Sequence, residues 1–370
     1  MILYTDIDLW KYLADSNRKN KKIVVYGMGN GADKILAVCQ RYGIEVSDFF
    51  ASDGFVRGHS FHSKRVLSYS EAKEKYGAEN MIVLLSFASS LSDVLQTIYS
   101  VASECELYAP DVPVCGDNLF NAEFYNENKD KIDAVRDMFE DEESKRIYDC
   151  VINYKLSGNI SYLREAENTK EEVYTSLLDA KNIKTAVDAG AYNGDTAREL
   201  AAFAPSLKKV YALEPDRRNF RKLSEYATVE ERFEVCPIQC AAWSENTTLV
   251  YDASGNRNAG VNPNAKKTQE VEALSIDSIL ANSTDKTDYI KYDVEGSERQ
   301  ALLGSAQTIK KDRPRLLVSA YHRSEDIFEL PMLIKSIEPS YKLYLRRYSY
   351  IPAWDLNLLA IPKNDGDESK

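Results

Sequence analysis

The segment VDAGAYNGD, residues 187–195, sets two glycines and two aspartates around a turn that leaves a strand and enters a helix. Gly190 and Gly194 let the backbone turn sharply and admit a ligand close to the main chain. Asp195 and Thr196 fall where the next helix begins, so its unpaired backbone N–H groups face whatever fills the turn. Asp188, at the strand end, can accept a hydrogen bond from a cationic amino group. About 20 residues on, the strand VYALEP ends in Glu214, whose carboxylate can accept from both hydroxyls of a ribose. The pair fits a nucleoside-containing cofactor. Its glycines are not spaced as G-x-G-x-x-G, so no pyrophosphate contact is demanded. Taken singly, each half also suits a plain strand–turn–helix with an N-cap aspartate and a solvated glutamate. The spacing of the two together favours the cofactor.

These residues need a scaffold, and the surrounding pattern supplies one. From Lys184 the chain alternates short apolar runs with amphipathic stretches: TAVDAG, KVYALEP, EVCPIQCAAW, YIKYDVEG and RLLVSAYH as strands. DTARELAAFA, DRRNFRKLSEYA, SIDSILANS (capped near Ser275), SERQALLGSAQTIK and IFELPMLIKSI lie between or after them as helices. YKLYLRRYS and DLNLLAIP close the pattern as two final strands. This is a doubly wound α/β sheet over residues 181–363, with a polar tail at 364–370. Residues 1–117 repeat the theme on a smaller scale. KIVVY, the glycine turn GMGNGA, DKILAVCQRYG and EVSDFF form a βαβ unit closing on Asp53, followed by a helix near Ser70 and the buried-type strand MIVLLSF. Between the two lies a stretch, 118–180, poor in glycine, with helices expected around 127–139, 142–156 and 169–180. Without Gly/Ser/Pro runs it is a helical connector, not a flexible linker.

Composition narrows the function classes. The chain has 370 residues, 44% hydrophobic and 28% charged, which suits a soluble globular protein of about two domains. Its formal charge of −11 gives no global attraction to phosphate, so no nucleic-acid partner is expected. No apolar run approaches the length of a spanning helix, and the start has no basic region leading into an apolar core. Cys39, Cys105, Cys115, Cys150, Cys236 and Cys240 are scattered, as free thiols in a reducing cytoplasm would be. With His59, His62 and His322 the only histidines, and no CxxC pair, a structural zinc site is not expected.

VDAGAYNGDT, ALEPD, CAAWS, IKYDVEGSE and VSAYHR, in this order, resemble the FkbM-type methyltransferases over roughly residues 145–362. DVEGSE is the most family-specific piece. The resemblance implies a Rossmann-like class I methyltransferase fold, with a seven-stranded sheet whose last strand is antiparallel. It also implies S-adenosylmethionine as cofactor and a small-molecule acceptor methylated on a hydroxyl, such as a sugar or glycan precursor. It assigns Asp188, Gly190, Ala191, Gly194 and Asp195 to the cofactor loop and Glu214 to the ribose. It assigns Cys240, Ala241 and Ala242 to the adenine, although plain strand packing suits these small residues equally. Asp293 and Glu295 would face the sulfonium methyl and the acceptor.

Residues i and i+2 on a strand share a face, so Asp293 and Glu295 are expected side by side. One carboxylate would favour the sulfonium; the other could take the acceptor's proton. His322 ends the next strand as the domain's lone histidine, where a neutral imidazole is a candidate base or metal ligand. A scaffold role for Glu295 and His322 stays open. So does a divalent cation on these three side chains, although no specific ligand motif is present. Arg346, Arg347 and Tyr348 make a basic spot that either contacts the acceptor or, more plainly, solvates an edge strand. A histidine is the more usual residue in the family pattern at Arg347, so this departure leaves the acceptor contact open. In the first unit, Gly27, Gly29 and Gly31 with Asp53 loosely imitate a nucleotide fold, making a nucleotide-sugar a candidate ligand there. His59 and His62 are expected at the surface. Two other functions compete: a nicotinamide-dependent oxidoreductase or epimerase using the first unit, and a non-enzymatic nucleotide-sugar-binding module. The first has no catalytic set evident near its glycine turn. Oligomeric state is not legible in the sequence.

Overall fold

The computed structural model describes residues 8–56, 58–252 and 268–363. Its larger sheet has seven strands. Across the sheet they run Glu234–Ile238, Lys209–Leu213, Thr185–Ala189, Tyr289–Tyr292, Arg315–Ser319, Leu356–Ile361 and Lys342–Arg347. The first five are parallel, and Leu356–Ile361 runs antiparallel to both its neighbours. Thr185–Ala189 and Tyr289–Tyr292 are buried at every position, as strands covered by helices on both faces must be. The strand order reverses between these two, which makes the crevice at their carboxyl ends the natural ligand site. The fold is the Rossmann-like class I methyltransferase arrangement expected from the sequence.

Two elements of the larger unit depart from expectation. EVCPIQCAAW is not one strand. It turns after Ile238, where the Cys240 N–H bonds the Ile238 carbonyl at 3.0 Å. Ala241–Ala242 then enters a separate three-stranded sheet with Thr268–Leu274 and Thr247–Asp252. SERQALLGSAQTIK is two helices, Glu298–Leu303 and Ala306–Asp312. They part at Gly304, whose position packs so tightly that a Cβ would stand 1.9 Å from the Trp243 carbonyl oxygen.

The smaller sheet is all parallel, in the order Leu67–Ser68, Val46–Ala51, Lys22–Tyr26, Met81–Leu85, Glu106–Tyr108. The connecting stretch carries helices Ala122–Met138 and Glu142–Ser157, each capped by a side chain, Asn121 and Asp141. The third expected helix is a short turn, Lys170–Glu172, continued by a π-helical turn, Val173–Leu177. Glu142–Ser157 is buried along most of its length. Its Ile147 and Val151 join the core under the large sheet, and its Tyr154 joins that of the small sheet. Its polar members are paired: Asp149 accepts two bonds from Arg136 at 2.7 and 2.9 Å, and Lys155 meets Asp111 at 2.9 Å. A helix that fills two cores explains how a polar-looking stretch packs between the two sheets.

That helix also corrects the reading of Arg346 and Arg347. Neither solvates an edge. Arg346 pairs with Asp141 at 2.6 Å and Glu172 at 3.4 Å. Arg347 is fully buried and donates to the carbonyls of Leu163, at 2.7 Å, and Tyr350. The guanidinium planes tie the edge strand to the connector. Among the described residues no helix is long and apolar enough to cross a membrane. The polar tail at 364–370 lies outside the described residues.

Candidate active site

A cavity of about 620 Å³ opens at the crevice where the large sheet reverses its order. Gly190, Tyr192, Asp195 and Thr196 line it from the glycine turn, and Leu213 to Asp216 from the next strand end. Cys240, Ala241 and Ala242 form the wall beyond. Lys291, Asp293 and Glu295 close its inner end, with Tyr321 and Tyr350 beside them.

Gly190 has φ +91, and a Cβ there would stand 1.9 Å from the Asp293 carbonyl oxygen. Glycine is therefore required by the close approach of two strand ends, and the room for a ligand follows from it. The N–H groups of Gly190 and Ala191 both bond the Leu213 carbonyl, at 3.0 and 2.9 Å, which pulls the turn towards Glu214. Ala191 is fully buried in the core and does not line the cavity. Gly194 caps the helix Asp195–Phe203 from outside the lining.

Glu214 is held with its carboxylate across the turn. One oxygen accepts from the Tyr192 N–H at 2.9 Å and the other from the Asp216 N–H at 2.8 Å. Burial pushes its carboxyl up to about 7, against the pull of those two N–H donors. Asp188 sits below the floor, accepting from the Thr196 hydroxyl at 2.5 Å and facing the Lys291 ammonium at 3.8 Å. Burial raises its carboxyl, although Lys291 opposes the shift.

Lys291 is a functional candidate that sequence reading passed over. It pairs in register with Asp188 on the adjacent strand and reaches Asp293 at 3.3 Å. Burial alone would lower its ammonium, but Asp293 and Asp188 reverse this and raise it. For Asp293 burial acts upward, and Lys291 and His322 more than reverse it, so its carboxyl lies below the ordinary value. The signal available in the sequence was a lone lysine inside an otherwise apolar strand, two residues before Asp293.

The strand-alternation argument for Asp293 and Glu295 does not hold. The strand ends at Tyr292, and the next residues form a turn with Glu295 at φ +50. What brings the two carboxylates together is His322. Its Nε2 lies 3.6 Å from Asp293 and 3.5 Å from Glu295. Its Nδ1 lies 2.9 Å from Glu298 Oε1, out of line for a good hydrogen bond. Glu298, also passed over although it ends the DVEGSE motif, accepts from the Val294 N–H at 2.9 Å and so clamps the turn. Burial would lower the His322 imidazole, but Glu298, Glu295 and Asp293 outweigh it and push it up to about 10. Burial pushes Glu295 up to about 7, with His322 opposing. One ligand-capable atom each from Asp293, Glu298 and His322 lie within 4.8 Å of one another.

In the first unit the glycine turn faces a smaller cavity of about 290 Å³, lined by Met28, Gly31, Phe87 and Trp354 among others. A Cβ on Gly31 would stand 2.0 Å from the Ser86 carbonyl oxygen, so the chain itself closes on this turn. Asp53 accepts from the Ser70 N–H and hydroxyl, at 3.0 and 2.6 Å, and does not line this cavity. His59 is exposed, and His62 pairs with Asp33 at the surface.

Residues 188–351 match the methyltransferase FkbM domain, a narrower span than the motif resemblance suggested. The chain is similar in structure to the methyltransferase FkbM from Methylobacillus flagellatus KT, with a TM-score of 0.69 at 20% identity, over 96% of this chain and 94% of that one. At that identity the likeness speaks for the fold. Fibrillarin from Aeropyrum pernix, solved with natively bound S-adenosyl-L-methionine, has a TM-score of 0.32 at 11% identity, over 49% of this chain and 68% of its own. No curated protein matches the chain. The domain match supports a methyltransferase role. The resemblance carried by the motifs is thereby borne out by a match to the methyltransferase FkbM domain over residues 188–351.

Proposed function

We propose that the chain is an S-adenosylmethionine-dependent O-methyltransferase acting on a hydroxyl of a sugar-containing or other small polar metabolite. The observation that carries it is convergence. The glycine turn, the Glu214 carboxylate, the small Cys240–Ala242 wall and the Asp293–Glu295 turn all meet in one cavity of about 620 Å³. The residues fit the cofactor. Glu214 keeps lone pairs free beyond its two backbone donors to accept from ribose hydroxyls. Cys240, Ala241 and Ala242 leave space for a flat base. When bound, S-adenosylmethionine supplies an electrophilic methyl group on a sulfonium.

The chain's own tasks are alignment and proton removal. Asp293, held between Lys291 and His322, offers negative charge at the inner end of the cavity. Glu295 borders both this cavity and a neighbouring pocket that Tyr321, His322, Tyr350 and Trp354 line. There its carboxylate can take the proton of an acceptor hydroxyl. His322, surrounded by three carboxylates, orients Glu295 and is not itself the base. The Trp354 ring packs against those of Tyr321 and Tyr350, and the three offer flat faces to the apolar side of a sugar ring. We keep the first unit (1–117) and the connector (118–180) as support for the 181–363 domain, and read the chain as working in the cytoplasm.

Calorimetry with S-adenosylmethionine and S-adenosylhomocysteine tests the reading, with NAD and UDP-sugars as competitors. Saturable binding of the two adenosyl ligands is expected. Binding of only NAD or a UDP-sugar by folded protein overturns it. Once an acceptor is found, Glu295→Gln should lower turnover by about 10²–10⁴ while leaving cofactor affinity unchanged.

A further inference from the structure

We propose that Asp293, Glu298 and His322 form a binding site for one divalent cation of the Mn²⁺ or Mg²⁺ class. The first ground is distance. One donor atom from each lies within 4.8 Å of the others. An ion bound at about 2.0–2.2 Å spans donors up to about 4.4 Å apart, so closure needs only a few tenths of an ångström.

The second ground is independent of the first. The Glu298 and His322 side chains are 0% and 1% exposed, and Glu298 Oε2 has no hydrogen-bond partner although its other oxygen faces His322 Nδ1 at 2.9 Å. A buried carboxylate oxygen left without a partner is costly. A cation shared by the carboxylates and the ring satisfies that oxygen, in place of the proton the imidazole otherwise carries. The other Glu298 oxygen is fixed by the Val294 N–H at 2.9 Å, with the Gly296 N–H at 3.4 Å. Such outer bonds orient a ligand and leave its second oxygen for the ion.

The third ground is access. Asp293 is 30% exposed and lines the large cavity, and His322 lines the adjoining pocket of about 130 Å³. The open coordination positions of an ion here would face the space beside Glu295. One imidazole with two carboxylates suits Mn²⁺ and its neighbours, and excludes the thiolate-loving ions. Only the ion's role rests on the methyltransferase reading: it would polarise the acceptor hydroxyl whose proton Glu295 takes. Its binding does not.

The test uses the full chain, stripped with chelator and titrated with Mn²⁺ while electron paramagnetic resonance follows the free ion. One ion per chain is expected, weakened at least about tenfold in both His322→Gln and Asp293→Asn, with circular dichroism unchanged. Asp293 is partly exposed, so its variant carries the test if the His322 variant fails to fold. Two results overturn the proposal: no uptake by folded wild type up to about 1 mM Mn²⁺, or stoichiometric uptake that survives Asp293→Asn. Calorimetry with S-adenosylhomocysteine in chelator is run alongside. Its failure would count against the methyltransferase reading and leave the ion result standing.

Discussion

Glu214 makes cofactor binding dependent on pH in a way that can be worked out. Its carboxyl is pushed up to about 7 by burial, so near neutrality it is half protonated in the empty cavity. Ribose hydroxyls donate to the carboxylate, and the protonated form offers them fewer acceptor sites. Ligand binding should therefore release a proton and strengthen with pH. About 97% of chains carry the charged form at pH 8.5 and about 3% at pH 5.5, so affinity should differ about 30-fold, or about 2 kcal/mol, across that range. S-adenosylhomocysteine is the ligand of choice, because it lacks the sulfonium that Asp293 would also sense. Glu214→Gln should bind more weakly at pH 8.5 by about 1.5–3 kcal/mol and show a flat profile between pH 5.5 and 8.5. The same shift acts on folding with a definite sign. The folded chain holds this proton up to about 7 and the unfolded chain only to its ordinary 4.5. The stabilisation is thus complete below 4.5 and lost as pH rises through 7, by about 3 kcal/mol at most. Glu214→Gln should gain on wild type in melting temperature above pH 7. If calorimetry gives wild type and variant the same pH slope, Glu214 is not the ribose acceptor.

The strand ends yield two further expectations. Gly190→Ala puts a Cβ at a site of φ +91, 1.9 Å from the Asp293 carbonyl oxygen, and should destabilise the fold by about 2 kcal/mol or more; an unshifted urea midpoint refutes this. Lys291→Met strips Asp188 and Asp293 of their shared ammonium and should cost about 3–5 kcal/mol at neutral pH, with part recovered by adding Asp188→Asn; additive losses in the double variant would show that the two residues are not coupled.

The sequence by itself determined the parts that local physics controls. Apolar runs and helical spacing marked the strands from TAVDAG to DLNLLAIP, because periodicity reports which face is buried. The turn at Gly190 and the acidic Glu214 were legible because a strand–turn–helix unit places its glycine, its helix start and the next strand end at set separations. The break after Ile238 and the second sheet around Ala241 were not, since they depend on a partner strand beginning at Thr268. The pairing of Lys291 with Asp188 is a matter of register between strands about 100 residues apart, which no local pattern encodes. Arg346 and Arg347 read as a solvated edge, because the sequence does not say that Glu142–Ser157 packs over that strand. The same holds for the chemistry. Asp293, Glu295 and His322 could be named from their places after strands. Only the tertiary structure set Glu298 against the imidazole, because a buried ring's hold on its proton is decided by what surrounds it in space.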